Sequence, residues 1–416
     1  MTRWLDALQQ FTRGIWFRAT VYTLAAVLLC VLAWVVSHFL PDRLAVELGQ
    51  DSVSQILSIL ASSMLAVTTF SLTTMVSAYS SAASAGTPRS TQLFLADRTS
   101  QNALSTFVGA FAFSVVGIVA LSLGVYSETG RTVLFVGSIL VVVAVLVSLL
   151  RWIGFLTVFG RMADVIDRVE KAATEAMQEY CRSPRLGAAR WVDPPAEASG
   201  VCADIPGYVV RLDAARLQQV AAEEGVTVWV HARAGARVSR VTSLLSTSEP
   251  VSDAAAERLR RAFVIAHHRS FDQDPRLGLI SLSEISSKGL SPGINDPGTA
   301  VEVLSALQRV LHVAQQVDGE AEVEHDRVHL AEIDLDDFVV DAFRPTARDG
   351  AAVVEVAVRL QKEIATLVAS APGPEWRTAL VAAAAEALQR AEAALDLVAD
   401  RDEVHRAYAL ATAPRT

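Results

Sequence analysis

Between Asp51 and Arg89 the chain carries no charged side chain, and that run constrains the fold more than any other feature. Roughly twenty apolar residues cross the hydrocarbon core of a bilayer as a helix, so this run spans it with residues to spare. It is not greasy throughout. Ser54, Ser58, Ser62, Thr69, Thr73 and Ser77 recur at spacings of four or seven, which on a helix makes one drifting stripe, interrupted by Leu65 and Leu72. Leu57, Leu60, Met64, Val67 and Met75 fall mostly on the other side. Small hydroxyl residues in a membrane either let helices pack closely and bond across the contact, or line a wet path. The contact is the favoured local reading; a pore-lining helix is the sharper alternative.

Composition widens the inference from one span to several. The chain is 52% hydrophobic and 19% charged over 416 residues, with a mean hydropathy of +0.35, too high for an ordinary soluble protein. Three further uncharged runs follow the same logic. One lies between Arg18 and Asp42, one runs from Ala103 to Tyr126, and one from Thr132 to Leu150. The first is longer than the apolar core of a secretory signal and is followed by no small-residue cleavage pattern, so it reads as a retained helix. The run from Ala103 to Tyr126 contains Gly109, Gly117 and Gly124, which permit close helix packing. Arginines collect near the N-terminus, at Arg89 and Arg98, and after Arg151, while the loops at 42–51 and 127–131 are not basic. By the positive-inside rule four helices cross and both termini are cytoplasmic.

The fold class expected is therefore membrane α-helical, four transmembrane helices followed by a cytoplasmic α+β domain. An N-terminal amphipathic segment (1–18) precedes a four-helix transmembrane domain (19–160). A cytoplasmic helical extension and linker (161–195) continues the fourth helix until Pro184, Pro194 and Pro195 interrupt it. A small β-rich module (196–250) follows, with strands at 208–212 and 226–231 around a helix capped by Asp213 and ended by Gly225. The last region (251–416) is mostly helical. It includes an edge-like strand at 325–333 and helices at 335–343, 351–369 and 375–400, with prolines at their joins.

Two polar passages stand out in the last region. In SPGINDPGTAVE, consecutive turns lead into a helix start, built either as a capping box of Thr299 and Glu302 or with Asp296 as N-cap and Pro297 as first helical residue. In HHRSFDQDP, His268 and Asp272 would meet if the segment were helical, Asp274 lies in a turn before Pro275, and Arg269 is placed to pair with an acid. The structural readings explain these residues. The functional reading makes His268, Arg269, Asp272, Asp274, Asn295 and Asp296 a site for a ligand or partner.

Much is excluded. The net charge of −9 without a basic cluster argues against nucleic acid. Cys30, Cys181 and Cys202 have no ligand-like spacing, so no metal, disulfide or cofactor is expected. No nucleophile elbow, phosphate-binding loop, dinucleotide fingerprint or zinc-protease motif occurs, so no enzymatic activity is expected.

The runs TPRSTQLFLADRTSQNALSTFVGAF and RAFVIAHHRSFDQDPRLGLISLSEISSKGLSPGINDPGTAV resemble a bacterial family of integral membrane proteins catalogued as domain of unknown function 2254. SPGINDPGTA is the most specific part. Where the family pattern has phenylalanine and serine before Pro88–Arg89, this chain has Gly86–Thr87. The resemblance implies a membrane protein with a large cytoplasmic region and transfers no reaction and no catalytic residues. Two functions are expected on these grounds. One is an oligomeric channel or channel-like permeation protein of the bacterial inner membrane, passing a small ion or solute, with the hydroxyl stripe at a shared axis of a homo-oligomer. The alternative is a membrane-anchored sensor or scaffold binding through the two polar turns.

Overall fold

The structure, a computed structural model, describes residues 15–39, 50–95, 98–124, 126–316 and 322–413. Most of the amphipathic segment expected at 1–18 and of the loop at 42–51 lies outside them. Two compact units divide the chain, Met1–Asp164 and Val165–Thr416.

The first unit is helical: α1 (Ile15–Phe39), α2 (Gln50–Ala85), a short α3 (Thr91–Leu95), α4 (Arg98–Ser122) and α5 (Glu128–Val158). Helix α4 is its centre, since small residues let neighbours approach it. A Cβ on Gly109 would meet the Tyr22 carbonyl oxygen of α1 at 3.3 Å, and one on Gly117 would meet Leu57 of α2 at 3.0 Å. Two apolar clusters form around it. Leu60, Met64 and Met75 pack with Phe107, Val145 and Trp152. Cys30, Val53 and Leu57 pack with Phe113, Leu121 and Leu134. The outside is equally apolar: Leu28, Phe70, Leu123, Leu140 and Leu150 are all exposed. Water would not tolerate so large an exposed apolar surface, whereas lipid would.

Among the described residues three helices are long and apolar enough to cross a bilayer, over Asp51–Ala83, Thr99–Ser122 and Glu128–Val158. The apolar part of α1, Ala19–Val35, is shorter. The fourth apolar run does not continue unbroken beyond the membrane. Helix α5 ends at Val158, Gly160 takes φ +80°, and α6 (Met162–Arg182) starts afresh. Only glycine adopts that backbone at no cost.

The second unit begins within α6, whose Val165, Ile166, Val169, Ala173, Ala176 and Met177 are buried. Its strands are β1 (Ala188–Arg190), β2 (Ser199–Cys202), β3 (Gly207–Leu212), β4 (Val228–Val230), β5 (Arg237–Val238), β6 (Ser243–Thr247), β7 (Phe263–Ala266) and β8 (His325–Leu330). They form a five-stranded sheet in the order β1-β8-β4-β6-β2 and a three-stranded sheet in the order β5-β3-β7. Thus strands at 188–190, 263–266 and 325–330 join those of 196–250. Helix α7 (Ala214–Glu224) and α8 (Asp253–Arg260) complete this part. The α7 caps follow the sequence: Asp213 accepts from Arg216 N–H, and Gly225 closes at φ +71°. Leu217, Val228, Leu244, Leu245 and Val328 form the core.

Strand β8 corrects the edge assignment. It lies between β1 and β4 and runs parallel to both. Its alternation of Val328 and Leu330 with polar neighbours reports one wet face, not an open edge.

The remaining helices are α9 (Pro275–Gly289), α10 (Pro297–Ala314), α11 (Leu335–Asp349), α12 (Val354–Ala369), α13 (Pro374–Ala394) and α14 (Val398–Thr412). Three differ from the sequence reading. Helix α9 hides in a serine-rich passage because its hydroxyls return to its own backbone: Ser281 donates to Leu277 O at 2.7 Å, Ser283 to Ile280 O at 3.0 Å. Helix α11 runs through Pro345, its last turn held by buried Phe343 and Ala347 and by Thr346 donating to Ser286 Oγ at 2.8 Å. The helix expected over 375–400 breaks at Leu395–Leu397, where Leu395 O accepts from Arg401 Nε at 2.6 Å.

Candidate functional site

The hydroxyl stripe faces outward. Ser58, Ser62, Thr69, Thr73 and Ser77 are exposed and Ser54 is half-buried, while Val53, Leu57, Leu60, Met64 and Met75 are buried. The apolar side of α2 meets α4 and α5. A helix contact through the stripe would therefore come from outside the packing of α2 against α4 and α5. Among the described side chains of α2 the buried hydroxyl is Ser71, off the stripe.

The stripe hydroxyls also have a defined polarity. Ser62 donates to Ser58 O at 3.0 Å, Thr69 to Leu65 O at 2.9 Å and Thr73 to Thr69 O at 3.0 Å. A hydroxyl has one proton and two lone pairs. With the proton spent on the helix carbonyl, these oxygens are left as acceptors. Such a surface tolerates lipid and suits water or a cation better than an anion.

The two polar turns do not meet. Asp274 caps the start of α9. At the other end of α9, Gly289 O accepts from Asp296 N–H at 2.8 Å. Fifteen residues of helix separate them, about 22 Å at a helical rise of ~1.5 Å per residue.

At the first turn the chain over 267–274 is not helical, so His268 and Asp272 are not brought face to face as the four-residue spacing suggested. His268 is exposed. Asp272 Oδ2 accepts from Ser270 Oγ at 2.9 Å, a local turn bond. Arg269 does pair with an acid: Nε and Nη2 donate to Asp274 at 2.6 and 2.9 Å. Asp274 is buried, and its Oδ1 also accepts from Leu277 N–H at 3.2 Å. Gly235 closes over this pair at φ +91°, where a Cβ would stand 2.5 Å from Asp274 Oδ2.

At the second turn Asn295 takes the left-handed conformation, φ +52°. Asp296 is the N-cap with Pro297 at the first helical position, rather than the Thr299–Glu302 box. Its carboxylate accepts from Thr299 N–H at 3.2 Å and from Thr299 Oγ1 at 2.6 Å. The Thr299 side chain and backbone bonds hold its pKa below the ordinary carboxylate value. The carboxylate thus already occupies the anion position at the α10 N-terminus.

Sequence reasoning missed a third grouping, because it is assembled across strands. His329, Trp229, Ser246 and Gly200 sit opposite one another along one row of the five-stranded sheet. His329 stacks on Trp229 with ring centroids 5.6 Å apart. Beside them His231 Nε2 lies 3.0 Å from Ser246 Oγ, and burial lowers the His231 pKa. A further, half-buried cluster is structural. Arg233 donates to Pro184 O at 2.6 Å and to Ala331 O, and lies over the Tyr180 ring.

Comparison with known proteins adds kinship without chemistry. An uncharacterized protein of Mycobacterium tuberculosis H37Rv and one of Mycobacterium bovis are each 27% identical to this chain over 235 residues. The alignment covers 52% of this chain and 44% of each relative, so the chain spans under half the length of the curated relatives it matches. No solved structure matches it. The family described as "Predicted membrane protein (DUF2254)" matches residues 12–366, most of the chain, and this protein belongs to it.

Proposed function

We propose that this chain is a subunit of an oligomeric, channel-like permeation protein in the bacterial inner membrane. In this reading α1 is a fourth span, despite its shorter apolar run, and both termini are cytoplasmic by the positive-inside rule. The second unit then assembles and gates the subunits.

The observation that carries the proposal is the outward-facing stripe. Helices α1, α2, α4 and α5 form apolar cores between them. Their one face rich in hydroxyl oxygens is turned away from the chain's own core. Copies arranged around an axis would bring these faces together. No charged side chain lies on the stripe, so the path would be lined by acceptor oxygens and selected weakly, favouring water or a small cation.

Single-channel recording of the reconstituted full chain in planar bilayers tests this. Replacing Thr69 and Thr73 together by valine keeps shape and removes both oxygens. A changed cation conductance is expected; unchanged conductance in the double variant removes α2 as the lining.

A further inference from the structure

A groove of about 660 Å³ lies between α1, α4 and α5, within the range of small-molecule sites. It exists because the sequence puts small residues where the three helices converge: Ala25, Ala26, Ala103, Gly109, Ala110 and Ala144 all line it. Its two ends differ in chemistry. Leu29, Phe113 and Val141 line one end, while Thr99, Asn102 and Arg151 line the other.

The helices fix the distance between these ends. A Cβ on Gly137 of α5 would meet the Phe113 ring of α4 at 3.7 Å, so these residues are level. The two helices run antiparallel. Fourteen residues on from Gly137 is Arg151, and fourteen back from Phe113 is Thr99. Both steps cover about 21 Å at ~1.5 Å per residue, so Arg151 and Thr99 stand together at one mouth. Half the hydrocarbon core of a bilayer is about 15 Å. The groove is therefore long enough to take an acyl chain from the polar boundary to the depth of Phe113.

Charge selects the head. Arg151 is exposed, and among the described residues no acidic side chain lines the groove. Helix α4 begins at Arg98, so its positive dipole end is at the same mouth as Thr99 and Asn102. An arginine fork and a helix N-terminus together complement a phosphate oxygen. Basic pockets between spans recognise acidic lipid heads in this way.

We infer that the groove between α1, α4 and α5 is a binding site for an acidic glycerophospholipid, its phosphate at Arg151 and one acyl chain along Ala103, Gly109 and Phe113. No residue of α2 lines this groove, so the site does not depend on the permeation reading.

Native mass spectrometry of the detergent-purified full chain tests it, with dioleoyl phosphatidylglycerol and dioleoyl phosphatidylcholine as matched probes. The wild type should retain the acidic lipid at activation energies that strip the zwitterionic one. Arg151→Gln should cut that retention about tenfold, the loss expected for one charge-assisted contact. Arg151→Lys should restore most of it. Ala144→Phe, at an exposed position lining the groove, should lower retention of both lipids. Equal retention of the two probes by the wild type, retention of neither, or an Arg151→Gln variant indistinguishable from wild type would each overturn the proposal and leave only bulk lipid contact. Because Arg151 is exposed, its variants test the site even if Ala144→Phe fails to fold.

Discussion

Arg269 and Asp274 meet as a fork, Nε 2.6 Å from Oδ2 and Nη2 2.9 Å from Oδ1. The acid side chain is 2% exposed and the arginine 16%. Removing the arginine leaves a buried carboxylate with only the α9 backbone as donor. Losing one member of such a pair costs about 3 kcal/mol. Arg269→Ala should therefore lower the unfolding temperature of the detergent-solubilised chain by several degrees. Adding Asp274→Asn, which keeps the cap but removes the charge, should recover part of the loss. A ligand site built on a free Arg269 predicts no such stability cost for the single variant.

Gly278 gives a second stability test. A Cβ there would lie 2.3 Å from Ala173 Cβ and 2.6 Å from Ala173 Cα, and no flexible side chain is available to yield. Helices α6 and α9 would have to separate. Overpacking of this kind costs about 3 kcal/mol, against about 1 kcal/mol gained from alanine's helix propensity. A net loss near 2 kcal/mol is expected for Gly278→Ala in chemical unfolding. Gly293→Ala meets nothing within 4 Å and should be near neutral. Equal stability of the two variants would show that α6 does not pack here.

These two sites mark what the sequence reveals and what it hides. The caps at Asp213 and Asp296 are legible because donor and acceptor lie three residues apart. The α2 span is legible because a bilayer excludes charge from a run of fixed length. The Gly278–Ala173 approach and the parallel pairing of β8 with β4 join residues about a hundred positions apart, and nothing local announces them. The stripe on α2 lies between these cases. Periodicity draws it, but which side is covered depends on where α4 and α5 pack. Likewise nothing local says whether the two polar turns meet; α9, disguised by its serines, sets them at opposite ends of a helix.

His231 supplies a pH dependence. Burial lowers its pKa from the ordinary 6.5. The unfolded chain therefore takes up this proton at a higher pH than the folded one. Its contribution to stability is whole above pH 6.5 and is lost as pH falls through the lower folded value. Unfolding temperatures measured from pH 7.5 down to 5 should decline, and His231→Gln, which can still bond Ser246 Oγ, should decline less. Parallel curves for the two proteins would assign the acid sensitivity elsewhere.

The last test concerns which surface of α2 meets another copy. If subunits assemble through the stripe, cysteines there come close to their counterparts across a symmetry axis, and a disulfide needs Cα atoms within about 7 Å. In membranes treated with a mild oxidant, Thr69→Cys and Thr73→Cys should each give a cross-linked dimer. Met64→Cys, on the buried side against α4 and α5, should give none. Native Cys30, Cys181 and Cys202 are free thiols, so a background lacking them is required. A ladder that appears at Ile59→Cys and Phe70→Cys but not at Thr69→Cys would put the interface on the lipid-like flank of α2. The stripe hydroxyls, with Ser62, Thr69 and Thr73 already bonded to their own helix, would then face acyl chains, and the permeation path would have to be sought on another helix.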